Sequence, residues 1–189
     1  MDIIPKLILW LILPAWIAAG FLDWICHRRS HIERRCGPWE TLFHLLLLGE
    51  AGIAIVLALF LELNEPILAT IAVCYVIHEI TVYVDLRYAH ARRDISPAEQ
   101  RVHEFMTAMP FAALCLIAVL HWDDLRNLVA NPSAIWSEPI RTKADPLPMG
   151  QVVGILLAVF LANLIPYFEE LLRGLRFLRQ PRPGRNQAK

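Results

Sequence analysis

The chain is poor in the residues that announce most familiar chemistries. Among 189 residues there are only 4 cysteines and 8 glycines. Cys26, Cys36, Cys74 and Cys115 form no CxxC pair, so no thiol redox motif or cysteine zinc knuckle is available. A disulfide between Cys26 and Cys36 is not expected on a cytoplasmic face, and Cys26 reads as a packed thiol. No glycine-rich phosphate loop and no internal repeat occur. The 18 basic residues equal the 18 acidic ones, and no nucleic-acid partner is expected.

Apolar residues are what the chain has in abundance. They make up 57% of it, and the mean hydropathy is +0.46, too apolar for a soluble domain of this size. Five long apolar stretches account for this: 3–26, 41–61, 66–84, 105–121 and 152–168. A membrane-spanning helix needs about 20 such residues. The first stretch contains small residues that imitate a signal-peptide cleavage site. Its flank carries Asp2 and only one basic residue, Lys6, and its apolar run is too long, so it reads as a retained helix. The expected class is all-α: a polytopic integral-membrane bundle of about five transmembrane helices over 1–170, with a basic cytoplasmic tail over 171–189.

The even charge balance conceals an asymmetry. Arg28, Arg29, Arg34 and Arg35 follow the first stretch, and Arg87, Arg92, Arg93 and Arg101 lie between the third and fourth. Arg173, Arg176, Arg179, Arg182, Arg185 and Lys189 follow the fifth. These all fall on one side, which the positive-inside rule makes cytoplasmic, with the N-terminus outside and the C-terminus inside. The location expected is a bacterial inner membrane. On the opposite side, the loop 122–148 holds Pro132, Pro139, Pro146 and Pro148. It is expected to be irregular and long enough for a lid, with Trp122 and Trp136 at the interface. The tail's first part reads as a surface helix on anionic lipid and its end as disordered.

Histidines and carboxylates collect at the basic ends of the helices. Asp23, His27 and His31 are spaced by four, which on a continuous helix puts them on one face. Glu40 and His44 repeat the spacing, as do Glu99 and His103. His78 and Asp85 are two turns apart; Glu79 and His90 follow a neighbouring line. His78-Glu79 is not a zinc-protease motif, because Val82 stands where the second histidine belongs. Ser96, Pro97 and Glu99 form a helix-start signature, so Glu99 has a capping role open to it as well as a ligand role. Glu40, near a helix start, has the same alternative. Glu50 sits deeper, among Gly49, Ala51 and Gly52, as a ligand, a relay group or a helix–helix tie. Ionisable groups at membrane depth are costly, and a mixed imidazole–carboxylate set suits Fe, Mn or Zn. The expected metal set is Asp23, His27, His31, Glu40, His44, His78, Glu79, Asp85, His90, Glu99 and His103, holding two transition-metal ions, iron first.

The stretch His27-Arg28-Arg29-Ser30-His31, with His44, His78, His90 and His103 beyond it, resembles the integral-membrane histidine-box di-iron proteins of the fatty-acid hydroxylase and desaturase type. No HxxHH box accompanies it, and only six candidate histidines are present. The resemblance implies oxygen activation on a lipid-soluble substrate, an electron donor, and carboxylates in place of missing histidines. Two other readings stay open: a metal or proton transporter or assembly factor, with Glu50, Glu79 and Asn163 along its path, and a b-type haem protein ligated by a pair such as His44 and His78. A chain of this size also fits a homo-oligomer or a subunit of a complex.

Overall fold

A computed structural model describes residues 3–180. The expected disorder of the last residues, with Arg182, Arg185 and Lys189, lies outside the described residues, as do the Asp2 flank and the side chain of Trp136. Among the described residues, five helices are long and apolar enough to cross a membrane: α1 (Ile3–Ser30), α2 (Trp39–Phe60), α3 (Glu65–His90), α4 (Pro97–Leu120) and α6 (Met149–Arg179). A short surface helix, α5 (Trp122–Ala130), lies in the loop after α4. The chain is therefore an all-α helical bundle of the membrane-protein type. Its outward faces carry many exposed large apolar side chains, among them Ile53, Val56, Val73, Val76 and Phe111. In water such a surface would be untenable; in lipid it is the favoured one.

Each helix end has a local cause. Ser96 accepts a hydrogen bond from the Glu99 backbone N–H at 3.2 Å, with Pro97 directly after it, so α4 starts there. α1 ends because His31 adopts φ +53°, a left-handed conformation that closes the helix. The chain then turns through Gly37 (φ +65°) into α2. Two helices absorb an internal proline through a wide π turn just before it: Ile8–Ile12 before Pro14 in α1, and Phe160–Leu164 before Pro166 in α6. The wide turn relieves the backbone that the proline ring would crowd.

The last helix differs from the expected one. The apolar stretch ends at Phe168, but the helix runs unbroken to Arg179. One face of it packs on the other helices throughout: Asn163, Tyr167, Glu170 and Gly174 are all buried. Asn163 donates to the Ile17 carbonyl at 3.1 Å, and the Tyr167 hydroxyl donates to the Gly20 carbonyl at 3.1 Å. Gly20 allows this approach, since an added Cβ would collide with the Asn163 amide. Gly174 likewise sits against Pro38. Residues 171–179 thus belong to the bundle rather than to a separate tail.

Candidate metal centre

Five helices bring a buried polar cluster to one end of the bundle. α1 supplies Asp23 and His27, and α2 supplies Glu40, Thr41 and His44. α3 supplies Asp85, α4 supplies Glu99 and His103, and α6 supplies Glu170. Arg93 enters from the α3–α4 loop. Asp23 and His27 are 0% exposed, and Glu40, Glu99 and Glu170 are 1% exposed.

His27 is the centre of the cluster. Its Nε2 lies 3.3 Å from Glu99 Oε1, 3.5 Å from Asp23 Oδ1 and 3.8 Å from Glu40 Oε1. It nevertheless makes no hydrogen bond of acceptable geometry. Its other ring nitrogen, Nδ1, lies 3.2 Å from Glu170 Oε2, while Thr41 donates to Glu170 Oε1 at 2.7 Å. His103 Nε2 lies 2.9 Å from Asp23 Oδ1. His44 stacks on His27, ring centres 4.8 Å apart, and its Nε2 lies 3.1 Å from Asp85 Oδ2. Two donor sets have ligand atoms within 4.8 Å of one another: Asp23, His27, Glu99 and His103, and His27, Glu40 and His44.

Arg93 ties the carboxylates together. Its guanidinium bonds both Glu40 and Glu99. Burial alone would lower its pKa, but the hydrogen bonds and charges of Glu99 and Glu40 raise it above the ordinary arginine value. The same Glu40 acts on Cys36: burial first, then Glu40's hydrogen bond and charge, push that thiol up to about 12. All four cysteines are free.

The Glu40 and Glu99 carboxylates both point into the cluster, on Arg93, rather than back to backbone donors at their helix starts. Ser96 caps α4 by itself. Of the expected ligands, the structure brings together Asp23, His27, Glu40, His44, Asp85, Glu99 and His103. His31 is corrected: α1 ends one residue before it, so the His27–His31 pair does not share a helix face. His31 is largely exposed and pairs with Glu33 at 3.3 Å. His90 is exposed too, its Nδ1 2.8 Å from the Leu86 carbonyl. Glu79 lies outside both donor sets. His78 is buried but lies outside both donor sets, its Nδ1 3.5 Å from Glu50 Oε2.

Glu170 and Arg93 belong to the buried cluster but were not among the residues expected from the sequence. Glu170 continues the 163–167–170 spacing of buried positions, which is helical, and that spacing was its signal. Arg93 had none, since it stands in a run of basic residues on a loop. Compared with protein-family models, curated proteins and solved structures, the chain matches none.

Proposed function

We propose that this protein is a membrane oxidoreductase built around a pair of transition-metal ions, acting on a lipid-soluble substrate. The observation that carries the reading is the environment of His27 Nε2: a fully buried, unbonded ring nitrogen facing three carboxylate oxygens. Donors about 2.1 Å from a tetrahedral ion stand about 3.4 Å apart, and the separations around His27 fit that spacing. Its Nδ1 has the carboxylate partner, Glu170, that orients metal-bound imidazoles. Asp23, His27, Glu99 and His103 would hold one ion. Glu40 and His44 stand beside it as ligands for a second.

Charge supports the same reading. Asp23, Glu40, Asp85, Glu99 and Glu170 are five buried carboxylates; the buried Arg93 pairs with Glu40 and Glu99, and the partly buried Arg173 lies 3.9 Å from Glu170. With neutral imidazoles the carboxylates still outnumber these cations, an excess that bound metal ions would offset. Unbalanced charge of that size at membrane depth is prohibitively costly. Iron is the first candidate for a mixed imidazole–carboxylate set, with manganese and zinc behind it. A redox-active ion there would supply electron transfer or oxygen activation. The protein's own groups fix ligand orientation through Glu170, Thr41 and Asp85, and hold Glu40 and Glu99 in place through Arg93.

An oxidoreductase is favoured over a transporter by what lies beside the cluster. A small cavity lined by Asp23, His44, His78, Asp85 and His103 shares the wall residues Leu13, Trp16 and Ala51 with a larger, mainly apolar one. An apolar chamber so close to the cluster suits a hydrocarbon better than a hydrated ion. Haem ligation by His44 and His78 is disfavoured, because it would leave the buried carboxylates of Asp23, Glu40, Glu99 and Glu170 without a metal to serve. The expected location is the inner membrane of a bacterium with the basic, cluster-bearing end in the cytoplasm, where an electron donor would dock.

Metal analysis of detergent-purified protein tests the proposal. About two iron, manganese or zinc ions per chain are expected, without a haem absorption band. Asp23→Asn and His103→Ala should lower the content strongly, and His31→Ala should leave it unchanged. Full occupancy in both Asp23→Asn and His103→Ala would overturn the reading.

A further inference from the structure

The larger cavity lies in the half of the bundle away from the cluster, between α1, α2, α3 and α4, and measures about 660 Å³. That is well within the range of roughly 300–1,000 Å³ typical of sites for small organic ligands. Its walls run from Pro5 to Trp16 on α1 and from Pro110 to Leu120 on α4. These stretches of twelve and eleven residues are about 16–18 Å of helix at 1.5 Å per residue, roughly half of the ~30 Å hydrocarbon core. Ala51, Ala54 and Ala58 line one side and Ala113 another, so small residues make the room.

The two ends differ. The outer end carries Asn64, His121, Asp124 and Lys143, whose polar groups mostly have partners. Asn64 donates to the Pro139 carbonyl at 3.0 Å, His121 lies 3.1 Å from Asp124, and the Lys143 ammonium donates to the Ala58 carbonyl at 2.6 Å. The inner end is closed by Trp16, Glu50 and His78, with the Trp16 and His78 rings edge to face at 6.2 Å. There the polar atoms are unmatched. His78 Nδ1 and Glu50 Oε2 are buried without a hydrogen-bond partner, although Thr81 holds the other Glu50 oxygen at 2.8 Å. One donor-or-acceptor nitrogen and one carboxylate oxygen, 3.5 Å apart, lie in the inner wall of a mainly apolar chamber. A buried unsatisfied pair of this kind is costly until something fills it.

We infer that the chamber binds an elongated apolar molecule bearing one neutral hydrogen-bonding oxygen, inserted oxygen-first so that this oxygen meets His78 Nδ1 and Glu50 Oε2. A hydroxyl satisfies both atoms, donating to the carboxylate and accepting from the ring N–H. A quinol oxygen offers the same chemistry. An anionic head group does not, because it would add like charge beside Glu50 in a mainly apolar pocket. The assignment gives the lipid-soluble substrate of the proposed oxidoreductase a chemical class and a direction. His78 and Glu50 are its positioning residues, one cavity away from the metal cluster.

Photolabelling in lipid nanodiscs tests this with two probes, hexadecan-1-ol carrying a diazirine at carbon 2 or at carbon 15. The carbon-2 probe should label the Trp16, Glu50, Cys74 and His78 region, and the carbon-15 probe the outer end near Leu63 and Leu120. His78→Phe and Glu50→Leu preserve bulk and remove the polar match. Each should cut carbon-2 labelling of the inner end by about tenfold, while capture of a diazirine-bearing hexadecane stays unchanged. Competition by unlabelled hexadecan-1-ol but not decylubiquinol would assign an alcohol, and the reverse a quinol. The inference is overturned if the two probes label opposite ends to those expected. It is equally overturned if both label only the lipid-facing Ile53, Val56, Val73 and Val76, or if both variants retain inner-end labelling. Should the variants fail to fold, the wild-type label map decides by itself. Metal content of the same samples reads the cluster separately. Wild-type protein with two ions and no chamber labelling sinks this inference alone. A labelled chamber without metal sinks the oxidoreductase reading alone.

Discussion

At the scale of single residues, Glu99 shows how one side chain can satisfy two sequence rules and serve only one. Its position suits a capping box, yet the Ser96 hydroxyl caps the helix and the Glu99 carboxylate goes to Arg93 and His27. Ser96→Ala should therefore cost about 0.5–2 kcal/mol of stability with metal retained. Glu99→Gln should leave the helix cap intact, lower metal content sharply, and lower the melting temperature further than Ser96→Ala does, because it breaks the buried pair with Arg93. Thermal melts and metal analysis on both variants check the pair; equal, mild effects would return Glu99 to a capping role. Cys36 offers a pH readout at the same scale. Its thiol pKa is raised to about 12, so the neutral form is favoured in the fold. That contribution is complete below the ordinary cysteine pKa of about 8.5 and is lost only as pH climbs towards 12. Iodoacetamide at pH 8.5 should leave Cys36 unmodified in the folded protein and alkylate it after denaturation. Ready alkylation of the folded protein would contradict the burial described.

At the scale of elements, α6 is the helix that completes the site. Hydropathy marked its apolar part and missed its last turns, because Glu169, Glu170 and Arg173 look like solvent-facing tail residues. Their partners lie on other elements. Glu169 accepts from Trp24 at 3.1 Å and from Arg28 at 2.8 Å, and Arg173 reaches Glu33 at 3.3 Å. The close contact of α6 with α1 depends on Gly20. Gly20→Val should push Asn163 and Tyr167 off their carbonyl partners at a cost of about 1–3 kcal/mol. It should also loosen Glu170 from His27, so metal content should fall with stability. Gly49→Ala, where an added Cβ meets nothing within 4 Å, is the matched control. A Gly20→Val protein as stable and as metal-rich as wild type would refute the packing account. α1 teaches the reverse lesson: spacing by four promises a shared face only while the helix lasts, and a left-handed residue at position 31 ends it.

At the scale of the whole molecule, the polar cluster and the apolar chamber occupy opposite halves of one bundle. The cluster-bearing end also carries most of the arginines. A reporter fused after Lys189 should read as cytoplasmic and one inserted near Asn131 as external. The opposite pattern would place the cluster on the outer face. The loop 122–148 closes the other end: Leu61 bridges to Thr142, the Glu62 N–H donates to the Arg141 carbonyl at 3.0 Å, and Lys143 caps the end of α2. Half-burial lowers the Lys143 pKa, in keeping with a cation tucked against carbonyls rather than held out in water.

The class of the protein, its five apolar helices and most of the cluster were readable from the sequence, because hydropathy and helical spacing act over neighbouring residues. Asp23, His27, Glu40, His44, Asp85, Glu99 and His103 were all visible as polar groups at helix ends on one side. Which of them meet was not visible. The joining of Glu170 and Arg93, the loss of His31 and His90, and the turning of His78 towards Glu50 depend on helix rotation and on where each helix stops. Those are set by packing: Gly20 under Asn163, Gly174 against Pro38, and a π turn that re-aims α6 ahead of Pro166. The tertiary structure decided them because a side chain's position on its own helix says nothing about which neighbour that face will meet.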